Sequence, residues 1–162
     1  MKVQKRRRKE NKTDYLKRLK LLKGEKPRLV FRKTNKFIIS EYVVSKEAQD
    51  KVILGFDSRK LEEFGWPKDA KGSLKSITAS YLTGYLVGKR IIKQKLETPI
   101  LDTGMNRALH KNKIYAFLKG VIDAGVKMKC KEEFFPEEER INGSHLKNKI
   151  PFEEIKSKIE KL

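Results

Sequence analysis

The sequence predicts an α/β (α+β) fold, in which an antiparallel meander is extended by a parallel strand into a mixed sheet flanked by helices. Two β-rich runs, at 28–32 and 37–44, meet at a basic turn, and a third run at 51–56 follows a polar turn at 45–50. A short apolar run at 99–102 lies between two helical patterns. This alternation of strand and helix is typical of parallel strand pairing.

The N-terminal stretch is strongly basic. Residues 1–12 include the run Lys5 to Lys9 and almost nothing apolar, so we expect this arm to be disordered when free. Thr13 is expected to cap a short amphipathic helix that ends at Gly24. The leucines of that helix are expected to pack on the core, and its cations are expected to face outward.

A long helix is predicted to begin at Ser73 or Ser76 and to end near Gln94. Gly84 and Gly88, four positions apart, leave one thin face of this helix, on which no side chain covers the backbone. Each glycine costs about 1 kcal/mol relative to alanine in a helix interior. The spacing therefore predicts close approach to a strand or to another helix.

The second half of the chain contains a further strand and two helices. After the strand at 99–102, Asn112 or its neighbour is expected to begin a helix that stops at Gly125. Lys119 and Asp123 are spaced for an ion pair within that helix. We expect residues 1–24 to form a basic arm with a short helix, 25–130 an α/β core, and 131–162 an extension with a small C-terminal helix.

The charge of the chain points to an anionic partner. The 162 residues include 40 Lys and Arg against 21 Asp and Glu, which gives a formal net charge of +19. Residues 1–36 alone hold 16 Lys and Arg against three acidic residues. An excess of this size exceeds what solubility requires and predicts binding to nucleic acid or to another acidic surface.

Composition also indicates a cytoplasmic location. A single cysteine, Cys130, cannot form an intrachain disulfide or a multi-thiolate metal site, which favours a reducing compartment. No apolar run has the length of a membrane span, and no signal peptide is expected.

Signals for catalysis are sparse. The run Ile100 to Gly104 contains Asp-Thr-Gly after two apolar residues, as in the active-site strand of aspartic proteases. Such an enzyme needs two carboxylates that share a proton, so this chain would have to dimerise through Asp102. The alternative is a buried strand that turns at Gly104, with Asp102 bonded to the turn backbone. His110 and His145 lie far apart in sequence, and no cofactor, metal site or small-molecule substrate is expected.

Several segments, taken in order, resemble the archaeal and eukaryotic form of the large-subunit ribosomal protein family that binds 5S ribosomal RNA, numbered eighteen in the universal naming. Thr103 stands where that family more often has an aliphatic residue. The segments that carry the resemblance are Arg6-Arg7-Arg8, Lys12-Thr13-Asp14-Tyr15, the run from Arg18 to Lys23, the run from Lys26 to Val30, Arg32-Lys33, Asn35-Lys36, Tyr81-Leu82-Thr83-Gly84, Leu101-Asp102 with Gly104, Ala116-Phe117 with Lys119-Gly120, Asp123-Ala124-Gly125, and Arg140-Ile141 with Gly143 and His145.

The resemblance implies a ribonuclease-H-like arrangement without catalysis. It also implies that the arm and the strand-side basic surface hold 5S rRNA against the large-subunit rRNA, in the central protuberance and beside neighbouring ribosomal proteins. No enzyme activity and no membrane contact are implied. The RNA-binding residues carried over in this way are Arg6, Arg7, Arg8, Lys12, Tyr15, Arg18, Lys20, Lys23, Arg28, Arg32, Lys33 and Lys36, together with Trp66, Lys68 and Lys71 of a loop rich in glycine and lysine.

Three interpretations follow from the sequence. The first is a structural rRNA-binding protein. The second is a general binder of nucleic acid or of an anionic membrane surface, built on the helix with Leu16, Leu19 and Leu22. The third is a dimeric protease that uses Asp102. Trp66 has two interpretations of its own, since its ring is expected either to cover an edge of the core or to stack on a base.

Overall fold

The structure is a computed structural model of the full chain, and it describes residues 3–47, 49–67, 69, 73–146 and 149–162. Its strands are β1 (Arg28–Lys33), β2 (Ile38–Lys46), β3 (Gln49–Asp57) and β4 (Ile100–Asp102). Its α-helices are α1 (Arg6–Lys9), α2 (Tyr15–Lys23), α3 (Ile77–Lys93), α4 (Lys113–Asp123), α5 (Glu138–Asn142) and α6 (Phe152–Glu160), and Ser58–Phe64 and Glu132–Phe134 form 3-10 helices.

The four strands form one mixed sheet in the order β3-β2-β1-β4. β1 and β2 are antiparallel, with Arg28 opposite Val43. β4 pairs with β1 in parallel, with Leu29 opposite Leu101. The predicted meander with one added parallel strand is therefore confirmed.

The connection between β2 and β3 is tighter than the polar composition at 45–50 predicts. β2 continues to Lys46, and β3 already begins at Gln49. Polar side chains continue along these strands because an antiparallel sheet can leave one face in water. The ladder shifts its register between Tyr42 and Val43, which adds an irregularity to β2.

Helices α3 and α4 cross at very short range. A Cβ atom placed on Gly84 would lie 2.1 Å from the carbonyl oxygen of Phe117, and one placed on Gly120 would lie 2.2 Å from that of Tyr81. Only residues without a Cβ allow this contact. The thin face predicted for the long helix is confirmed, and its neighbour is a helix.

The helix ends largely follow the capping chemistry of the sequence. The Ser76 side chain accepts a hydrogen bond from the Ala79 backbone N–H at 3.1 Å, and Asn112 caps α4 in the same manner. The predicted pair within α4 does not form. Asp123 instead accepts a hydrogen bond from the Tyr81 hydroxyl at 2.7 Å, and Lys119 lies 4.0 Å from Glu138.

The core consists of two adjoining groups of buried side chains. One lies between the sheet and the α3–α4 pair and includes Phe31, Tyr42 and Phe117. The other joins α3 to α6 and includes Ile155 and Ile159, neither of which is exposed to solvent. The C-terminal segment that composition sets apart is thus packed into the same core. No helix in the described parts of the chain is long and apolar enough to cross a membrane.

Candidate nucleic-acid interface

The arm contains more regular structure than its composition predicts. Arg6–Lys9 form one helical turn, and the backbone N–H of Lys9 donates to the carbonyl oxygen of Lys5 at 3.0 Å. The guanidinium of Arg7 then donates to the Thr13 hydroxyl at 3.0 Å, which ties this turn to the start of α2. The expected disorder is thus not what the structure shows for residues 3–12.

Helix α2 begins one residue later than predicted. Asp14, not Thr13, is the N-cap, and its carboxylate accepts hydrogen bonds from the backbone N–H groups of Leu16 and Lys17, both at 3.1 Å. The bond from Lys17 contributes most to lowering the pKa of Asp14, with the Arg8 guanidinium at 3.4 Å adding to the effect. A carboxylate at this position also interacts favourably with the helix dipole.

The orientation of α2 differs in part from the expected one: Lys20 and Lys23 are exposed as predicted, but the other two cations are not. Lys17 donates to the Thr103 hydroxyl at 2.7 Å, and Arg18 forms an ion pair with Asp50 at 2.9 Å, so these cations face the body of the protein. Leu16 and Leu19 are 66% and 52% exposed. The prediction that these leucines pack on the core is wrong, because polar contacts to the sheet and to the loop after β4 fix the helix.

Arg28 is part of a buried cluster of charges. Its side chain is 3% exposed and donates to Asp102 at 2.9 Å, to Asp50 at 2.7 Å and to Ser45 at 3.1 Å. The expectation that Arg28 contacts RNA is therefore wrong, because the guanidinium is enclosed and its two terminal nitrogens already donate to carboxylates and to Ser45. It lies on β1, where parallel pairing with β4 places Asp102 opposite Val30, two positions along the strand and within reach of the long Arg28 side chain.

Asp102 has the structural role that the turn interpretation predicts. It accepts a hydrogen bond from the Gly104 backbone N–H at 2.8 Å. Burial raises its pKa, but this bond and the charges of Arg32 and Arg28 outweigh burial and hold the pKa below its usual range. A protease carboxylate pair shares a proton, whereas Asp102 is held ionised between two guanidinium groups.

Trp66 is not available to stack on a base. Its side chain is 2% exposed and belongs to the core group around α3 and α6. The expectation that it contacts RNA is wrong, and the alternative, that it covers the core, is the one the structure shows. Lys68 and Lys71 of the same loop lie outside the described residues.

The remaining candidates lie on the surface of the arm and of the hairpin tip. Arg8 and Arg32 are half-buried, and the Arg32 guanidinium donates to the backbone carbonyl of Asp102 at 3.0 Å. The exposed candidates are Arg6, Arg7, Lys12, Tyr15, Lys20, Lys23, Lys33 and Lys36.

The sequence of this chain is similar to those of ribosomal proteins of the large subunit. The family model described as ribosomal large subunit proteins 60S L5, and 50S L18 matches residues 1–99. The large ribosomal subunit protein uL18 of Korarchaeum cryptofilum (strain OPF8) is 45% identical over 145 residues, which cover 90% of this chain and 72% of that protein. The chain belongs to this family.

Family membership establishes the general function. This ribosomal protein is an RNA-binding structural constituent of the large subunit, and it is located in the cytoplasmic ribosome. Its partners are therefore rRNA and other ribosomal proteins. It is not an enzyme, in agreement with the charge-paired state of Asp102.

The structure adds cations that the sequence analysis of this ribosomal protein did not identify. Lys75 reaches the hairpin tip and donates to the backbone carbonyl of Asn35 at 2.8 Å. Arg107 and Lys113 lie near Lys33, around a cavity at the end of β1. Their proximity depends on the parallel pairing of β1 with β4. Net charge alone, which is spread along the chain, does not reveal it.

Proposed function

We propose that this ribosomal protein binds 5S rRNA through its arm and the basic tip of the β1–β2 hairpin, and that it anchors 5S rRNA to the large-subunit rRNA in the central protuberance. The resemblance seen in the sequence supports this role, as does membership in the family of large-subunit proteins. Neighbouring ribosomal proteins of the central protuberance are part of the proposed site.

The single observation that carries the proposal is that the cations of residues 1–24 form two groups, one bound to the protein itself and one exposed to solvent. Lys17 and Arg18 bind the body of the protein, while the side chain of Arg6 is 85% exposed. A docked arm with outward-facing cations loses less conformational entropy on binding than a free one. The docked arm can therefore contact a phosphate backbone without first becoming ordered.

The chemistry of the exposed side chains fits helical RNA. The bases of an A-form helix are hidden in a deep and narrow major groove, so recognition there goes through phosphates and 2′-hydroxyls. Arg6 and Arg7 can each present a planar fork to a phosphate, while Lys20 and Lys23 supply point charges along α2. Shape and spacing of phosphates then determine affinity more than sequence does.

The experiment that tests the proposal is binding to purified 5S rRNA at about 150 mM salt, near physiological ionic strength, with excess tRNA as competitor. We expect tight binding that survives the competitor. Binding that tRNA abolishes would favour the general nucleic-acid binder and would contradict the proposal.

A matched pair of double variants tests the assignment of the arm. We expect R6A/R7A to weaken 5S rRNA binding about tenfold or more, since a single hydrogen bond to a charged group contributes about 1.5 kcal/mol or more. K158A/K161A removes the same charge from exposed positions at the other end of the chain. Equal losses in the two variants would show that only net charge matters.

A further inference from the structure

A cavity lies where two parallel strands end. β1 and β4 run in the same direction, so their carboxyl ends share one edge of the sheet, which is where open α/β sheets commonly bind ligands. The cavity has a volume of about 390 Å³, within the range of about 300 to 1,000 Å³ that is usual for small-molecule sites. Its apolar lining includes Phe31, Ile77 and Ile114.

The rim of this cavity is cationic. Lys33, Arg107, Lys113 and Arg140 line it, and none of these four forms a salt bridge with any residue that the structure describes. Only Lys111 among the lining cations is paired, with Glu137 at 2.8 Å. Arg140 also interacts electrostatically with Glu137, so it is chiefly the charges of Lys33, Arg107 and Lys113 that favour an anionic group at the rim.

Two further features raise the positive potential at this position. The cavity includes the N-terminus of the 11-residue helix α4, whose dipole favours negative charge there. Burial, followed by the charges of Lys33 and Lys75, lowers the pKa of Lys113. The like charges are thus close enough to affect one another, and an anion between them would relieve this repulsion.

We propose that this cavity binds one unpaired nucleotide of rRNA, with its base against the apolar lining and its phosphate at the cationic rim. The proposal rests on the rRNA-binding function proposed above and names the feature of RNA that this second site recognises. The apolar lining suits the base of a nucleotide, and the ring of cations above it suits the phosphate. A free phosphate would contact the cations but not the apolar lining. A base paired within a helix cannot enter, because it is stacked and enclosed by its neighbours.

The loop after β4 links the cavity to the arm. The Arg8 guanidinium lies 3.0 Å from the Met105 sulfur, and Lys17 donates to Thr103 of the same loop. Asn106 and Arg107, which follow directly, line the cavity. One RNA can therefore place phosphates on the arm and a splayed nucleotide in the cavity at the same time.

The test is an NMR titration of the isotope-labelled full chain with a short single-stranded oligouridylate. We expect saturable shifts at residues 31–33 and 106–114. Inorganic phosphate at equal ionic strength, a blunt RNA duplex and an oligoglutamate peptide serve as probes of charge alone. If any of these produces the same shifts at matched charge concentration, the cavity is a general anion site and the proposal is overturned.

Variants of the rim provide a second measurement. R107A/K113A is expected to weaken oligouridylate binding about tenfold and to reduce the salt slope by about 0.7, the value for the loss of one phosphate contact on a single strand. K158A/K161A is the control with the same loss of charge, and thermal melting checks that each variant is folded. Unchanged affinity in a folded R107A/K113A protein would overturn the proposal.

The two proposals fail in distinguishable ways. If the cavity proposal alone is wrong, the chain still binds 5S rRNA in the presence of tRNA, and the R6A/R7A variant still loses that binding. If the 5S assignment alone is wrong, oligouridylate still shifts the cavity resonances while tRNA displaces 5S rRNA.

Discussion

Asp102 shows how one side chain can join distant parts of this chain. It pairs with Arg28 on the neighbouring strand at 2.9 Å and holds the turn through the backbone of Gly104. Arg28 in turn binds Asp50, to which Arg18 of α2 is also paired. The arm, the sheet and the loop after β4 thus share one network of charges.

The network predicts a large cost for the loss of Asp102. D102A leaves the buried Arg28 with only Asp50 as its carboxylate partner. Removal of one member of a buried ion pair costs about 3 to 5 kcal/mol, and we expect about 3 kcal/mol because the second partner remains. Urea denaturation at neutral pH measures the change.

The control for D102A is an exposed ion pair. Glu137 pairs with Lys111 at 2.8 Å, but its side chain is 65% exposed. E137Q should cost less than about 1 kcal/mol, as is usual for surface pairs. Similar losses for the two variants would contradict the role assigned to the buried network.

Asp50 predicts how stability depends on pH. Burial raises its pKa, but hydrogen bonds from Ser45, Arg18 and Arg28 outweigh this and lower the pKa to about 2, from 3.8 in the unfolded chain. A carboxyl group with a lowered folded-state pKa stabilises the fold fully above about pH 4. That contribution is lost as the pH falls from about 4 to 2.

The variant D50N tests this dependence. It should be less stable than the parent at neutral pH and should lose less stability between pH 4 and pH 2. Denaturation midpoints measured across this range give both slopes. Parallel curves for the two proteins would exclude Asp50 as a contributor.

At the scale of elements, the sequence predicts helices better than it predicts what they pack against. Both α2 and α6 have apolar residues at helical spacing, yet Leu16 and Leu19 are exposed while Ile155 and Ile159 are fully buried. Periodicity shows which residues share a face. Whether that face meets apolar surface depends on tertiary contacts, here the polar anchors of Lys17 and Arg18.

The same limit applies to the candidate site. The sequence identifies the cations of the arm and of the hairpin tip, because they are dense in a short stretch. It includes Arg28 wrongly, since an arginine in a basic run looks the same whether its partner is a phosphate or a carboxylate 74 positions away. It omits Arg107 and Lys113, whose proximity to Lys33 arises only from the fold.

The crossing of α3 and α4 predicts strict intolerance to added volume. In G84A the new methyl group would meet the backbone of Phe117, 2.1 Å from its carbonyl oxygen. Overpacking usually costs about 1 to 3 kcal/mol, and backbone cannot move aside as a side chain can, so we expect a loss of about 2 kcal/mol or more despite the better helix propensity of alanine. Chemical denaturation measures it.

Gly55 on β3 provides the matched substitution. The nearest atom to a Cβ placed there is 3.9 Å away, in the Val52 side chain. G55A should therefore change the free energy of unfolding by less than about 0.5 kcal/mol. A G84A protein as stable as G55A would show that the two helices can separate without cost.

At the scale of the whole molecule, the charge of +19 determines how binding responds to salt. If about eight exposed cations each meet a phosphate, log affinity should fall against log salt concentration with a slope of about −6 to −7. Affinity for 5S rRNA should then decrease by roughly 4,000-fold to 16,000-fold between 50 and 200 mM salt. Filter binding across this range measures the slope, and a slope near −2 would indicate that few of the cations touch RNA.

The docking of the arm also sets an order of events during synthesis. Lys17 and Thr103 are 86 positions apart in the chain, and Arg8 and Met105 are 97 apart. At a translation rate of about 5 to 20 residues per second, the loop that holds the arm is synthesised roughly 4 to 20 seconds after the arm itself. The cations of a nascent arm are therefore free to bind nearby RNA before the contacts with the loop after β4 can form.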